Sequence, residues 1–210
     1  MCLIYYYNNE SVTVLHPPKI DNHLFLDTFL ILLEVTMKKM PKSQKYIIET
    51  FLELRKHKPI EKMSVVELCK KADINKSTFY VYYHDIYDLS EQLEDEMVEN
   101  IKNSLADPES IIKDPQSFTK QLFDAFSKEN EKIAILFADS RSSQLPHKIL
   151  KTLQELVFSL HPEYRNNQEI NIILTYYIYG AYYAYNENKN NDHNYVVSVI
   201  ASLIKWKADI

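Results

Sequence analysis

The chain has 210 residues and a formal net charge of −5, long enough to bury a sizeable core as one large domain or two small ones. It holds a single glycine, Gly180, where about fifteen would follow from ordinary usage of ~7%. Phosphate-cradling loops and dinucleotide folds need several glycines for backbone to approach an anion, so they are excluded, and a hairpin-rich β fold is a poor reading. Abundant Leu, Ile, Lys and Glu with few helix breakers predict an all-α protein. Cys2 and Cys69 make no disulfide framework, and no Cys/His spacing resembles a zinc site. A reducing cytoplasm is the expected compartment, with no metal and no cofactor. The longest apolar run, Leu24 to Val35, is interrupted by Asp27 and Thr28 and is about half a membrane span. No basic segment precedes it, so it is also a poor signal peptide, and no membrane partner is expected.

The charge is unevenly distributed. From Lys38 to Lys76 there are 11 Lys/Arg against 5 Asp/Glu, a net of +6; from Ser77 to Ile210 there are 12 against 20, a net of −8. A basic segment joined to an acidic body suggests that one region meets a polyanion, and clustered solvated lysines are the bland alternative. Residues 1–36 lack any sustained period. Leu33-Glu34-Val35-Thr36 can be encoded as TTG GAG GTN ACN, which places GGAGG five nucleotides before the Met37 codon. That is the form of a bacterial ribosome-binding site, so translation is expected to start at Met37.

Regular patterning begins at Lys42. Tyr46, Ile47, Thr50, Phe51 and Leu54 predict a first helix over Lys42–Lys56, ended by Pro59. Ser64-Val65-Val66-Glu67 reads as a capping box opening a second helix to Lys71. Ala72-Asp73-Ile74-Asn75 reads as a turn with Asn75 as the next N-cap. A third helix covers Lys76 to Tyr83, and Asp85 caps a fourth from Ile86 to Leu105, striped with Leu89, Leu93, Met97 and Ile101. Asp114-Pro115 opens a helix to Lys128. Further helices are expected at Asn130–Asp139, Gln144–Ser159, Asn167–Asn188 and His193–Lys207, about nine in all. The expected division is 41–101 for a DNA-binding domain and 106–210 for a regulatory and dimerisation domain.

The second and third helices form a helix-turn-helix over 64–83, a motif whose second helix enters the major groove of DNA. Lys76, Ser77 and Thr78 suit the groove-facing start of that helix, Phe79 should lock it from behind with Tyr82 or Tyr83, and Tyr80 and His84 should lie over phosphates. The stretch Ala72-Asp73-Ile74-Asn75-Lys76-Ser77-Thr78-Phe79-Tyr80-Val81-Tyr82-Tyr83, followed by Asp88-Leu89, resembles the N-terminal domain of TetR-type transcriptional regulators. The match spans about fifty residues, Ile47 to Leu93. The Tyr179-Gly180-Ala181 segment is similar to C-terminal domains of regulators from Gram-positive bacteria. The resemblance implies a two-fold dimer of all-helical subunits, each with a DNA-binding domain and a larger ligand-binding domain. It also implies that Ser64, Asn75, Tyr80 and Tyr82 meet phosphate while Lys76 and Ser77 face bases. Asp73 stands where the family often has glycine, and Asp tolerates a left-handed backbone better than most residues. His84 and Ile86 stand where the family often has lysine.

In the helix from Asn167, Ile170, Ile173, Leu174, Tyr177, Ala181 and Tyr185 share one face and Ile172, Tyr176, Tyr179 and Tyr183 another. Two apolar faces must both be covered, and a twin subunit is the economical cover for the second, aided by Val196, Val199, Ile200 and Leu203 of the last helix. Phe118, Phe123, Phe126, Phe137 and Tyr176 are candidates for an effector pocket, or plain core. Cys69 reads as a small buried hydrophobe, and Ser77 has no His/Asp partner for nucleophilic catalysis, so no enzymatic activity is expected. The expected function is a transcriptional repressor that binds a near-palindromic DNA operator as a homodimer and is released by an effector. The alternative is a regulator or activator controlled by a protein partner rather than a small molecule, with a C-terminal domain packed solid.

Overall fold

The computed structural model describes residues 40–204. The expected start at Met37, the segment 1–36 and the expected last turn to Lys207 lie outside the described residues. The chain divides into two units, Met1–Lys45 and Tyr46–Ile210, and of the first only residues 40–45 are described.

Ten α-helices and three 3-10 turns carry the described residues, with no strand among them. Helix α1 (Lys42–Arg55) buries Ile47, Phe51 and Leu54 at helical spacing and stops short of Pro59, which opens the 3-10 turn Ile60–Lys62. Ser64 Oγ accepts the Glu67 amide (3.2 Å) and starts α2 (Val65–Lys71). The box is half closed, because the Glu67 carboxylate turns to the Lys58 ammonium. The turn after α2 is a Schellman closure: the Ile74 amide reaches back to the Cys69 carbonyl (3.0 Å) while Asp73 takes φ 53°. Helix α3 (Lys76–Tyr82) follows; Asn75 precedes it in extended backbone, but its side chain makes no capping bond.

Helix α4 (Ile86–Asn103) has a doubly locked start: Asp85 Oδ1 accepts the Asp88 amide (2.8 Å), and Asp88 Oδ2 accepts the His84 amide (2.7 Å). The Gln92 amide and that backbone amide hold the Asp88 carboxyl below its usual range. An unexpected single turn, α5 (Ser110–Lys113), precedes α6 (Pro115–Lys128), which Asp114 caps through the Ser117 amide (3.0 Å). Helix α7 (Asn130–Leu136) ends earlier than expected and gives way to the 3-10 turn Asp139–Arg141, where Asp139 has φ 54°. Helix α8 (Gln144–Leu160), α9 (Gln168–Asn188) and α10 (His193–Leu203) complete the order, the last two capped by Asn167 and Asp192.

Helix α4 packs on α6, α7 and α8; α8 packs on α9; α10 packs on α6 and α9. One apolar cluster runs from Phe51, Phe79 and Leu89 through Met97 and Ile101 to Val157 and Ile170. Helix α4 therefore belongs to the helix-turn-helix core and to the larger helical body at once.

Candidate functional site

Phe79 and Tyr83 are buried and fix α3 from behind, each such burial being worth roughly 1.5–3 kcal/mol. With that side locked, the helical repeat sends Lys76, Ser77, Tyr80 and Val81 outward together at positions i, i+1, i+4 and i+5. Lys76, Ser77 and Tyr80 are exposed, as are Ser64, Asn75 and His84; Thr78 and Tyr82 are half-buried, Tyr82 packing against the core. Val81, 74% exposed, is an apolar member of this face that sequence reasoning missed, although it lies one turn beyond Ser77. Cys69 is buried beneath α2, and burial pushes its thiol up.

Four consecutive residues of the α7–α8 connection each grip the end of α1, the 3-10 turn that follows it, or α4. The fully buried Arg55 side chain donates from Nη2 to the Ala138 carbonyl (3.3 Å) and pairs through Nη1 with Asp139 (3.4 Å), also donating to the Lys58 carbonyl (3.0 Å). Its solvent-shielded Nε has no partner. Ser140 hydrogen-bonds the Glu61 carboxylate and lowers its proton affinity. Arg141 reaches Glu94, whose side chain is wholly buried in α4, with two bonds of 2.8 and 2.5 Å. That bidentate contact raises the Arg141 pKa. The Ser90 hydroxyl donates to Glu94 (2.8 Å), and Lys148 sits 3.7 Å away while bonding Asp95. No sequence pattern marked Glu94 or Arg141, since a lone Glu on a helix stripe reads as solvated.

The flanking residues Phe137 and Ser142 line a cavity of about 750 Å³ within the helical body. Phe118, Phe123 and Phe126, which the sequence left open between pocket and core, line it as well. Tyr176 does not: it is 73% exposed, and Tyr177, Tyr182 and Tyr185 take the role instead. Tyr185 packs at a tilt against Phe123 (centroids 4.8 Å apart) and its hydroxyl meets His193 Nδ1 at 2.9 Å. Burial raises the Tyr182 phenol.

A third feature is the outward face of the last two helices. Ile172, Tyr176 and Tyr183 of α9 and Tyr195, Val199 and Leu203 of α10 are exposed. Val196 and Ile200, expected on this face, are instead buried against the molecule's own helices, because the α10 stripe is one position out of phase with the reading. Gly180 lies exposed on α9, and a Cβ placed there would meet nothing within 4 Å. Among the described residues no group of three or more His, Cys, Asp or Glu could hold a metal ion, and no helix is long and apolar enough to cross a membrane.

No protein-family model matches the chain, and no curated protein matches it significantly. Among solved structures, the fatty acid degradation regulator FadR from Bacillus halodurans is similar over 79% of this chain and 95% of its own, with 16% identity and a TM-score of 0.43.

Proposed function

We propose that the protein is a sequence-specific DNA-binding transcriptional regulator of the TetR type. It works in the cytoplasm as a homodimer, with residues 41–101 reading DNA and 106–210 sensing an effector and pairing the subunits. The observation that carries this reading is the face of α3. A short helix, locked by Phe79 and Tyr83 after a tight turn, offers Lys76, Ser77, Tyr80 and Val81 together, which is what groove entry requires. Lysine donates to guanine O6 or N7, and an exposed valine suits a thymine methyl. The apolar face on α9 and α10 gives a second copy its place, and Gly180 lets helices approach.

Repression relieved by a small molecule is the mode we favour, because the helical body holds a cavity of about 750 Å³, inside the range of small-molecule sites. A body controlled by a protein partner alone needs no such space. Effector seating against Phe137 and Ser142 shifts the turn between them, and the turn changes its grip on Arg55, Glu61 and Glu94. The DNA affinity then falls, provided the effector binds the released state more tightly. Selection from random duplex DNA tests the reading: a near-palindrome with half-sites about 34–36 Å apart is expected, and recovery of no preferred sequence rejects it.

A further inference from the structure

The cavity walls are chemically one-sided. Of the residues lining them, Lys189 is the one with a formal charge, and none is acidic. Asp124 and His193 approach from α6 and the start of α10, but they face each other at 3.5 Å and neither is in the lining. Along α9 the lining changes in order, from Leu174 and Ile178, through Tyr182 and Tyr185, to Asn186 and Lys189. From Leu174 to Lys189 is about 22 Å of helix at 1.5 Å per residue. Its α9 wall is therefore long, apolar and aromatic over most of its length, and polar and cationic at one end, where the one charged lining residue sits.

That gradient selects among ligands. A compact polar molecule would find only separated partners, such as Thr119 and Ser127 on α6 and Asn130 on α7, and would bury its other hydrogen-bonding groups against Phe and Leu, which is costly. A lipophilic cation would gain from the aromatic faces, yet would find no carboxylate and would meet the Lys189 ammonium. An uncharged apolar molecule would fill the trough but leave Lys189 and Asn186 unused. We infer that the cavity takes an elongated amphipathic organic anion, its apolar body against the Phe and Tyr side chains and its anionic head at Lys189. The carbonyl end of α9 repels negative charge, so the ammonium alone makes the head group welcome there. The inference names the ligand class of the proposed effector site and rests on that reading for its regulatory meaning, whereas binding itself is measured without DNA.

Isothermal titration of the full chain with dodecanoate, dodecanol and dodecyltrimethylammonium, each below its micellar concentration, separates the classes. Dodecanoate should bind at least about tenfold more tightly than the alcohol, a difference of 1.4 kcal/mol, with the cation weakest. Lys189→Gln should erase the carboxylate's advantage and leave the alcohol unchanged; Lys189→Glu should invert the order of the charged heads. Lys151→Gln, an exposed lysine of α8 outside the lining, should change nothing. Equal binding of carboxylate and alcohol, an advantage that survives Lys189→Gln, or no binding of any of them overturns the inference. If dodecanoate binds as expected but the protein proves not to bind DNA, the ligand class stands and the regulator reading falls.

Discussion

Removing Arg141 tests whether the turn between α7 and α8 is a structural clasp. Arg141→Ala leaves the Glu94 carboxylate, which has no solvent exposure, with the Ser90 hydroxyl at 2.8 Å and the Lys148 ammonium at 3.7 Å. Stripping one partner from a buried pair costs about 3–5 kcal/mol, because the remaining charge is desolvated and uncompensated. Arg141 keeps 17% of its side chain exposed and Lys148 is at hand, so the lower end, about 3 kcal/mol, is expected. Glu94→Leu combined with Arg141→Leu removes both charges and should recover most of the loss, since apolar replacement of a buried pair is often neutral or better. Urea unfolding followed by far-UV circular dichroism on Glu94→Leu, Arg141→Leu and the double variant closes the cycle and gives the coupling energy, expected at about 2 kcal/mol. A single-variant loss below about 1 kcal/mol, or strictly additive losses, would show that the Glu94–Arg141 pair is not the joint described here.

Three smaller perturbations follow from particular residues. Asp73→Gly should stabilise the chain by up to about 1 kcal/mol by relieving the left-handed backbone at φ 53°, and Asp73→Ala should destabilise it; thermal melts that rank them the other way refute the turn. Asp88 has a depressed pKa in the fold, so its contribution is fully present above the unfolded value of about 3.9 and lost as pH falls through the lower folded value. Protection factors at the start of α4, corrected for the intrinsic pH dependence of amide exchange, should therefore fall on acidification below about pH 4, and Asp88→Asn should flatten that response. Gly180→Leu meets open space within the subunit and improves helix propensity by a few tenths of a kcal/mol or more; it should leave the fold intact yet weaken the dimer in light scattering, and an unaltered dimer would remove Gly180 from the interface.

Much of the fold was legible because helix signals are local. Ser64, Asp85, Asp114 and Asn167 stand at helix starts and accept amides as caps do, and the burial of Phe79 follows from spacing, which left Tyr82 and Tyr83 open as its companion until the structure buried Tyr83. Of the two capping roles that failed, Glu67 found Lys58 rather than the Ser64 amide, and nothing in the structure explains the missing Asn75 side-chain cap. A phase error accounts for Val196 and Ile200 in the largely apolar α10, whereas Tyr176 is exposed on the outward α9 face where its spacing placed it and so is not in the cavity lining. The clasp was illegible for a different reason. Its partners, Arg55, Glu61 and Glu94 on one side and Ala138 to Arg141 on the other, are 47 to 84 positions apart where single bonds are concerned, and nothing local marks a charge destined for burial.

The central claim is that α3 reads base sequence, and equilibrium binding of Lys76→Ala and Tyr80→Phe to the selected duplex and its single-base variants tests it most directly. Lys76 lies exposed at the start of α3, and its loss should cost about 1–3 kcal/mol and relax preference at one position in each half-site. Tyr80→Phe removes an exposed hydroxyl without changing charge, so it should weaken all sequences alike and leave the salt slope nearly unchanged. If Lys76→Ala weakens every duplex equally, with no position relaxed, the basic segment binds DNA only as a polyanion and the account of a sequence-reading regulator is wrong.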